Sequence, residues 1–187
     1  KNAVIFHPEN ILGWPVAKLA DKVFMEIIAD RFAEPLDYIG VSYYAKIPFN
    51  PFPVTEIDNP GKLTEMGYKH DKMWAYYPQG MKESVLRYHK RYGKPIIITE
   101  SGICTDDCAV RIDSIKDYLK LLHECMQEGV DLKGYFHWST MDNFEWNLGP
   151  TYHFGLVAVD AETGDRRMKE SGEFYAEIVK NNGLEVA

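Results

Sequence analysis

The sequence predicts an α/β fold in which parallel strands alternate with helices. Short apolar runs of strand length alternate along the chain with longer segments whose apolar residues recur at helical spacing. The run from Pro95 to Ile98 is apolar throughout, which is typical of a parallel strand covered by helices on both faces. Alternation of this kind predicts right-handed βαβ units.

The elements of the first half follow in order. Asn2 to Phe6 reads as the end of one strand, and the helix after it ends at Pro35. Leu36 to Tyr43 is the next predicted strand. A loop rich in proline and glycine then runs to about Pro78, and a loop of that length is usually functional or disordered. The first helix is expected to bury one apolar face, formed by Val16, Leu19, Ala20, Val23, Phe24, Ile27 and Ile28.

The second half repeats the alternation and ends in a short hairpin and a helix. The predicted elements are a helix over Met81 to Tyr92, a strand over Pro95 to Thr99, a helix over Val110 to Gln127, a strand over Leu132 to Trp138, a hairpin over Phe154 to Val159 with a turn at Glu162 to Asp165, and a helix over Lys169 to Asn181. The longest helix is expected to turn inward Ile112, Ile115, Leu119, Leu122 and Met126.

The segment from Ile98 to Gly102 places a carboxylate, Glu100, directly after a buried strand. Functional groups in parallel sheets gather where the carboxyl end of a strand opens into a loop. A lone motif of this kind is equally compatible with a surface glutamate. A second cluster downstream favours the functional interpretation.

That cluster runs from Gly134 to Gly149 and combines tryptophans with acid and amide side chains. A pyranose has an apolar face that stacks on an indole and a rim of hydroxyls that needs paired donors and acceptors. Two tryptophans and three acid or amide groups serve a core poorly, because buried polar groups must be paired. The cluster therefore predicts a sugar site, formed by Trp138, Asp142, Asn143, Glu145 and Trp146.

The chain resembles glycoside hydrolase family 1, the family of β-glucosidases and β-galactosidases. The matching segments lie in order over nearly the whole chain: Asp37 to Tyr44, Tyr77 to Gly80, Tyr92 to Ile103, Gly134 to Trp146, and Phe154 to Val157. The resemblance implies a retaining glycosidase on a (β/α)8 barrel, whose two carboxyl groups lie about 5 Å apart. The expected substrate is a β-linked glucoside or galactoside.

Site residues are implied by the same resemblance, position by position. Glu100 matches the catalytic nucleophile, and Tyr44 matches the tyrosine that hydrogen-bonds it. The sugar-binding set is Trp138 as platform, Glu145 and Trp146 for the hydroxyls of the nonreducing sugar, and Phe154 and Trp74 as walls. Ser42 is also assigned to substrate binding. Ser42 and Ser101 stand where the family usually has asparagine, so a hydrogen-bonding group remains but with a shorter reach.

The chain is expected to be the C-terminal portion of the barrel, about strands 6 to 8 with their helices and the end of the fifth strand. The general acid/base of this family lies in a Thr-Phe-Asn-Glu-Pro-like segment before the tyrosine pair, and the 187 residues contain no such segment. A barrel of this type also needs about 250 residues. We therefore interpret residues 1–187 as one partial barrel domain without strands 1 to 5, whose partner is the N-terminal remainder of the barrel.

Composition limits the possible partners, location and cofactors only modestly. The net charge of −7 argues against nucleic acid and anionic membranes, which call for basic patches. Three cysteines without paired ligand spacing fit reduced thiols in a cytoplasmic protein. The histidines are dispersed, so no metal and no cofactor are expected.

Three hypotheses stay open. The chain is a fragment or subunit of a retaining β-glycosidase, which we favour; a non-catalytic carbohydrate-binding module; or a vestigial partial barrel. The first predicts that a missing part of the barrel supplies the general acid, whereas the second predicts that the chain binds sugar alone.

Overall fold

The computed structural model describes residues 2–8, 14–49 and 60–184. The strands of this part are β1 (Asn2–Pro8), β2 (Ile39–Phe49), β3 (Ile96–Ser101), β4 (Leu132–His137), β5 (Val157–Val159) and β6 (Arg166–Met168). Its helices are α1 (Trp14–Lys22), α2 (Ile28–Asp30), α3 (Pro60–Glu65), α4 (Gln79–Tyr92), α5 (Cys108–Gln127) and α6 (Glu170–Asn181). A π-helical segment (Val23–Ile27) joins α1 to α2, and a 3-10 segment (Trp146–Thr151) follows β4.

The first four strands form one parallel sheet in the order β1-β2-β3-β4, and β5 and β6 form a separate antiparallel hairpin. Consecutive parallel strands are neighbours and are joined by helices, which is the arrangement that the alternation predicts. The carboxyl ends of all four strands lie on one edge of the sheet. Loops at that edge carry every candidate site residue that follows a strand.

The core lies between one face of the sheet and helices α4 and α5. Its side chains are mainly β-branched or aromatic residues on the strands and long apolar residues on the helices, as parallel strands covered by helices require. They include Ile39, Val41, Tyr43, Met81, Val85, Tyr88, Ile96, Ile98, Tyr118, Leu122 and Cys125. Helix α4 ends at Gly93, which adopts φ 60° and so closes the helix with a left-handed residue.

The opposite face of the sheet carries exposed side chains. Tyr135 and His137 of β4 pack against the ring of Tyr175 on α6. Because side chains alternate along a strand, Phe136 points the other way, and 62% of it is exposed. Thr99 of β3 is exposed as well. In a closed barrel this face would be the interior.

Two predicted helix faces differ from the structure. Among the described side chains of the first helix, Ala17 and Met25 are buried, whereas four of the residues expected inside are exposed: Val16, Leu19, Val23 and Ile27. The side chains of Phe24 and Ile28, which are also expected inside, are outside the described part of the structure. Among the described residues no element covers that stripe. In α5, Ile115 and Leu122 are buried as expected, but Met126 is exposed because Arg111, Tyr118 and Cys125 form the inward face.

The described part of the predicted loop after β2 contains regular structure. β2 extends to Phe49, beyond the predicted end at Tyr43, and α3 follows at Pro60–Glu65. Ala75 forms isolated antiparallel bridges with Lys46 and His70, which bring the end of this loop back onto β2. Residues 50–59 of the predicted loop lie outside the described residues.

Candidate active site

Glu100 lies at the carboxyl end of β3, where the strand pairing is irregular. The register shifts between Val41 and Ser42 on one side and between Ile98 and Ser101 on the other. Such irregularities redirect side chains near functional sites. The hydroxyl of Tyr44, on the neighbouring strand β2, donates to Glu100 Oε2 over 3.1 Å. Burial raises the pKa of Tyr44 well above its usual value and the charge of Glu100 adds to it, so the hydroxyl remains a donor.

Three aromatic rings surround this hydrogen bond. The ring of Tyr44 lies 5.3 Å from that of Trp74 and 6.2 Å from that of Phe154, measured between centroids. Trp74 and Phe154 are 6.1 Å apart, which closes the triangle. Tilted and edge-to-face contacts at these distances are favourable for aromatic pairs. Three of the residues predicted for the site, Tyr44, Trp74 and Phe154, are thus brought into one cluster beside Glu100.

Asp71 fixes the turn that carries Trp74. Its Oδ1 atom accepts from the backbone N–H groups of Met73 and Trp74, each at 2.6 Å. Its Oδ2 atom accepts from the N–H of Cys104 over 2.9 Å, in the connection that follows β3. Burial raises the pKa of Asp71, and these three hydrogen bonds oppose the rise. The carboxylate therefore links the Trp74 turn to the segment after Glu100.

Glu145 and Trp146 lie beside the aromatic cluster. Asn143 Nδ2 donates to Glu145 Oε2 over 2.9 Å, which orients the carboxylate. The charge of Glu145 adds, after burial and the charge of Glu100, to the raised pKa of Tyr44. A cavity of about 300 Å³ lies between Trp74, Glu145 and Trp146, with Leu148 and Tyr152 in its wall. Trp146 is 83% exposed and stands at the rim.

Trp138 directly follows β4 and is half-buried. Its backbone N–H donates to the carbonyl oxygen of Ser101 over 2.8 Å, and the peptide bond to Ser139 is cis. The two strand ends approach so closely that a Cβ atom at position 102 would lie 1.9 Å from the Trp138 carbonyl oxygen. This contact explains why glycine follows Glu100 and Ser101 in the sequence.

Among the described contacts, neither the Ser42 nor the Ser101 hydroxyl is hydrogen-bonded to the Glu100 carboxylate. Ser42 pairs with Glu100 in the strand register, but its hydroxyl is 3.1 Å from that of Thr99. Ser101 is fully buried, and among the described residues its hydroxyl has no hydrogen-bond partner. The role of Ser42 in substrate binding stays a prediction.

The loop after β4 is held by a buried ion pair. Asp142 Oδ1 accepts from the N–H of Gly155 over 2.8 Å and from Lys169 Nζ over 2.8 Å. The side chains of Asp142 and Lys169 are only 8% and 11% exposed. Because Gly155 follows Phe154, this pair fixes the chain next to one aromatic wall.

The cysteines and histidines have other environments. Burial raises the pKa of the Cys104 thiol to about 12 and that of Cys125 to about 11. Burial, with a contribution from the Arg111 charge, lowers the pKa of His137 to about 3, so it is neutral. His153 Nδ1 lies 2.6 Å from Asp106 Oδ1, and Asp106 Oδ2 forms an ion pair with Lys72. In the described ranges no group of three His, Cys, Asp or Glu is arranged to hold a metal ion.

Sequence reasoning did not single out Asp71 and Arg111, and it named Asn143 without assigning it a partner. The signal for Asp71 is present, because an aspartate three residues before Trp74 is suited to cap a turn through the N–H groups two and three residues on. Arg111 gives no such signal, because its carbonyl partners come from two distant loops, Thr105 and His153. No described helix has the length and apolarity needed to cross a membrane.

Comparison with known proteins identifies relatives of the chain. The sequence model of glycosyl hydrolase family 1 matches residues 18–184. β-Glucosidase A of Acetivibrio thermocellus is 34% identical over 95% of this chain and 42% of its own length. The β-galactosidase of Sulfolobus acidocaldarius is 34% identical over 80% of this chain and 32% of its own length.

Solved structures show the same partial match. A family 1 β-glucosidase from Thermotoga maritima, in complex with isofagomine lactam, aligns with TM-score 0.70 at 34% identity, over 81% of this chain and 36% of that one. A protein from Fervidobacterium pennivoraus aligns with TM-score 0.84 at 28% identity, over 98% and 43%. The chain thus spans less than half the length of these relatives, and its parallel sheet is a portion of their α/β barrel. This chain belongs to glycosyl hydrolase family 1.

Proposed function

We propose that this chain supplies the nucleophile and the sugar platform of a retaining β-glycosidase that hydrolyses β-glucosides or β-galactosides. The observation that carries the proposal is the 3.1 Å hydrogen bond from Tyr44 to Glu100, set beside the rings of Trp74 and Phe154. A carboxylate oriented by a tyrosine and flanked by aromatic walls is suited to attack a bound sugar.

In the proposed mechanism, a carboxylate oxygen of Glu100 attacks the anomeric carbon, and the bond to the leaving oxygen breaks as that oxygen takes a proton from a general acid. The residue that acted as general acid then removes a proton from a water molecule. This water attacks the anomeric carbon and releases Glu100. Tyr44 donates to the carboxylate oxygen that does not attack and so holds its orientation. Inversion at each of two steps gives overall retention.

Sugar binding is assigned to Glu145 and Trp146, which line the 300 Å³ cavity, and to Trp138, which lies outside its lining. Trp138 and Trp146 offer indole surfaces for the apolar face of the ring. The carboxylate of Glu145, held by Asn143, accepts from sugar hydroxyls. A carboxylate accepts from either epimer at the position where glucose and galactose differ, so both sugars fit this part of the site.

The general acid/base is proposed to come from the N-terminal part of the barrel, strands 1 to 5. Two features support this. Among the described strands, β1 and β4 each pair on one side only, as expected for strands awaiting neighbours. The inner face of the sheet also leaves Phe136 largely exposed, where further strands would cover it.

The test is hydrolysis of an aryl β-glucoside by two proteins. One is this chain alone, and the other is this chain joined to the preceding N-terminal part of the Acetivibrio thermocellus relative. Activity only in the joined protein, lost in its Glu100→Gln variant, is the expected result. Activity in the chain alone would place the acid within these residues. If neither protein hydrolyses the substrate, but the chain alone shows saturable glucose binding and Trp138→Ala abolishes that binding, carbohydrate binding would replace catalysis as the proposed function.

A further inference from the structure

Arg111 is a buried cation that the proposed mechanism does not use. It lies in the first turn of α5, and its side chain is fully buried. Its Nη2 atom donates to the carbonyl oxygen of Thr105 and, over 2.9 Å, to that of His153. Thr105 belongs to the β3–α5 connection (residues 102–107) and His153 to the β4–β5 connection (residues 138–156). The guanidinium therefore joins the loop that follows Glu100 to the loop that ends in Phe154.

The two connections meet at one point. The carbonyl of His153 also accepts from the N–H of Thr105 over 3.1 Å, so it is the shared acceptor of a backbone donor and a cation. The next residue, Phe154, has a carbonyl that accepts from the N–H of Ser139 over 3.2 Å. Its ring contacts those of Tyr44 and Trp74. The position of this ring therefore depends on where the His153 carbonyl is held.

Asp71 performs the matching task for the other wall. It binds the N–H groups of Met73 and Trp74 through one oxygen and the N–H of Cys104 through the other. Cys104 lies in the same β3–α5 connection as Thr105. A fully buried cation, Arg111, and a half-buried anion, Asp71, thus fasten the two aromatic walls to a single short segment that begins next to Ser101.

Stability alone gives a poor account of Arg111. Within the described residues, its Nε and Nη1 atoms are buried and have no hydrogen-bond partner. Burial lowers the pKa of Arg111, although the charge of Asp142 acts in the opposite direction. A buried cation with unpaired donors carries a desolvation cost, and an apolar residue of similar volume is often tolerated in its place.

We propose that Arg111 and Asp71 are positioning residues, which hold the walls Phe154 and Trp74 against the β3–α5 connection and so set the pose of Tyr44 on Glu100. The proposal has two halves. The structural half states that Arg111 and Asp71 hold the two aromatic walls in place, and it concerns only the described contacts. The catalytic half states that this positioning is needed for turnover, and it rests on the proposed function; the two halves are therefore separable by experiment.

The structural half is tested on the 187-residue chain labelled with 5-fluorotryptophan. The fluorine resonance of Trp74, assigned by its loss in Trp74→Phe, reports the nearby Phe154 ring. Arg111→Met is expected to shift this resonance, and Arg111→Lys to restore part of the wild-type position, because an ammonium replaces one carbonyl contact. The matched control is Lys82→Met, which removes ion pairs between α4 and α5 and is expected to leave the resonance in place.

Asp71→Asn keeps the test decisive if Arg111→Met does not fold. The amide has one acceptor oxygen, so its NH₂ group must face either the N–H of Cys104 or those of Met73 and Trp74. Donor facing donor should separate the Trp74 turn from the connection and shift the resonance. A wild-type Trp74 resonance in every folded variant would overturn the proposal, even where thermal stability falls.

The catalytic half is tested with the joined protein introduced under the proposed function, which we also call the joined barrel. Displacement of catalytic groups by about 1 Å can cost about 100-fold, so a 10- to 100-fold fall in kcat/KM is expected for Arg111→Met, with partial rescue by Arg111→Lys. Unchanged kcat and KM would overturn this half. If the wild-type joined protein is inactive, the proposed function fails, while the fluorine result on the chain still decides whether Arg111 and Asp71 position the walls.

Discussion

Removing one hydroxyl, in Tyr44→Phe, tests the link between the aromatic cluster and Glu100. The phenylalanine ring keeps the contacts of Tyr44 with Trp74 and Phe154, and the variant loses only the 3.1 Å hydrogen bond to the carboxylate. Hydrogen bonds to charged groups contribute about 1.5 to 3 kcal/mol. If that contribution acts mainly in the transition state, kcat/KM should fall about 10- to 150-fold, at 1.36 kcal/mol for each factor of ten.

The assay is aryl β-glucoside hydrolysis by the joined barrel, with Tyr43→Phe as matched control. Tyr43 is the adjacent tyrosine, but its buried hydroxyl donates to the carbonyl of Tyr77 over 2.6 Å and does not reach the site. The control should lower stability and leave kcat/KM within a few-fold of wild type. Equal kcat/KM in Tyr44→Phe and wild type would refute the role assigned to this hydroxyl, as would equal losses in both variants.

Further predictions concern the framework of the site. Gly102→Ala should unfold the chain at a markedly lower temperature than Gly134→Ala, because a Cβ at position 102 meets a backbone oxygen at 1.9 Å, whereas at position 134 it meets only a ring carbon at 3.8 Å. Lys169→Met should cost about 3 kcal/mol in urea unfolding, because it leaves Asp142 buried without its cation; an unchanged midpoint would contradict the importance of this pair. His137 should make the chain less stable as pH falls from 6.5 to about 3, since the unfolded imidazole takes up a proton that the folded one excludes. His137→Phe should remove up to about 1.4 kcal/mol per pH unit from that slope, and identical slopes would refute it.

Prediction from sequence succeeded where one local pattern decides the outcome. The apolar run before Glu100 is a buried strand, β3, and Gly102 follows because β4 ends against it. The inward face of α5 was misplaced at Met126, since periodicity alone does not tell which neighbours a helix packs on. The first helix shows the same effect more strongly.

Contacts between loops that are distant in sequence could not be predicted from the sequence. Arg111 donates to carbonyl oxygens of residues 6 and 42 positions away. Because every residue has a backbone carbonyl, the sequence does not indicate which ones accept from Arg111. Ser42 matches a site position and pairs with Glu100 just after a register shift on β2, yet its hydroxyl lies beside that of Thr99. Such shifts arise from the packing of neighbouring strands and are not encoded by any one residue.

Covalent trapping of Glu100 tests the central claim most directly. A dinitrophenyl 2-deoxy-2-fluoro-β-glucoside has a leaving group that departs without a proton, so formation of the intermediate does not depend on the general acid. The joined barrel and its Glu100→Gln variant would be treated with it and digested for peptide mass spectrometry. The account predicts one sugar adduct, on Glu100 and absent from the variant. An adduct on another carboxylate, or turnover of aryl glucosides without any adduct, would contradict it.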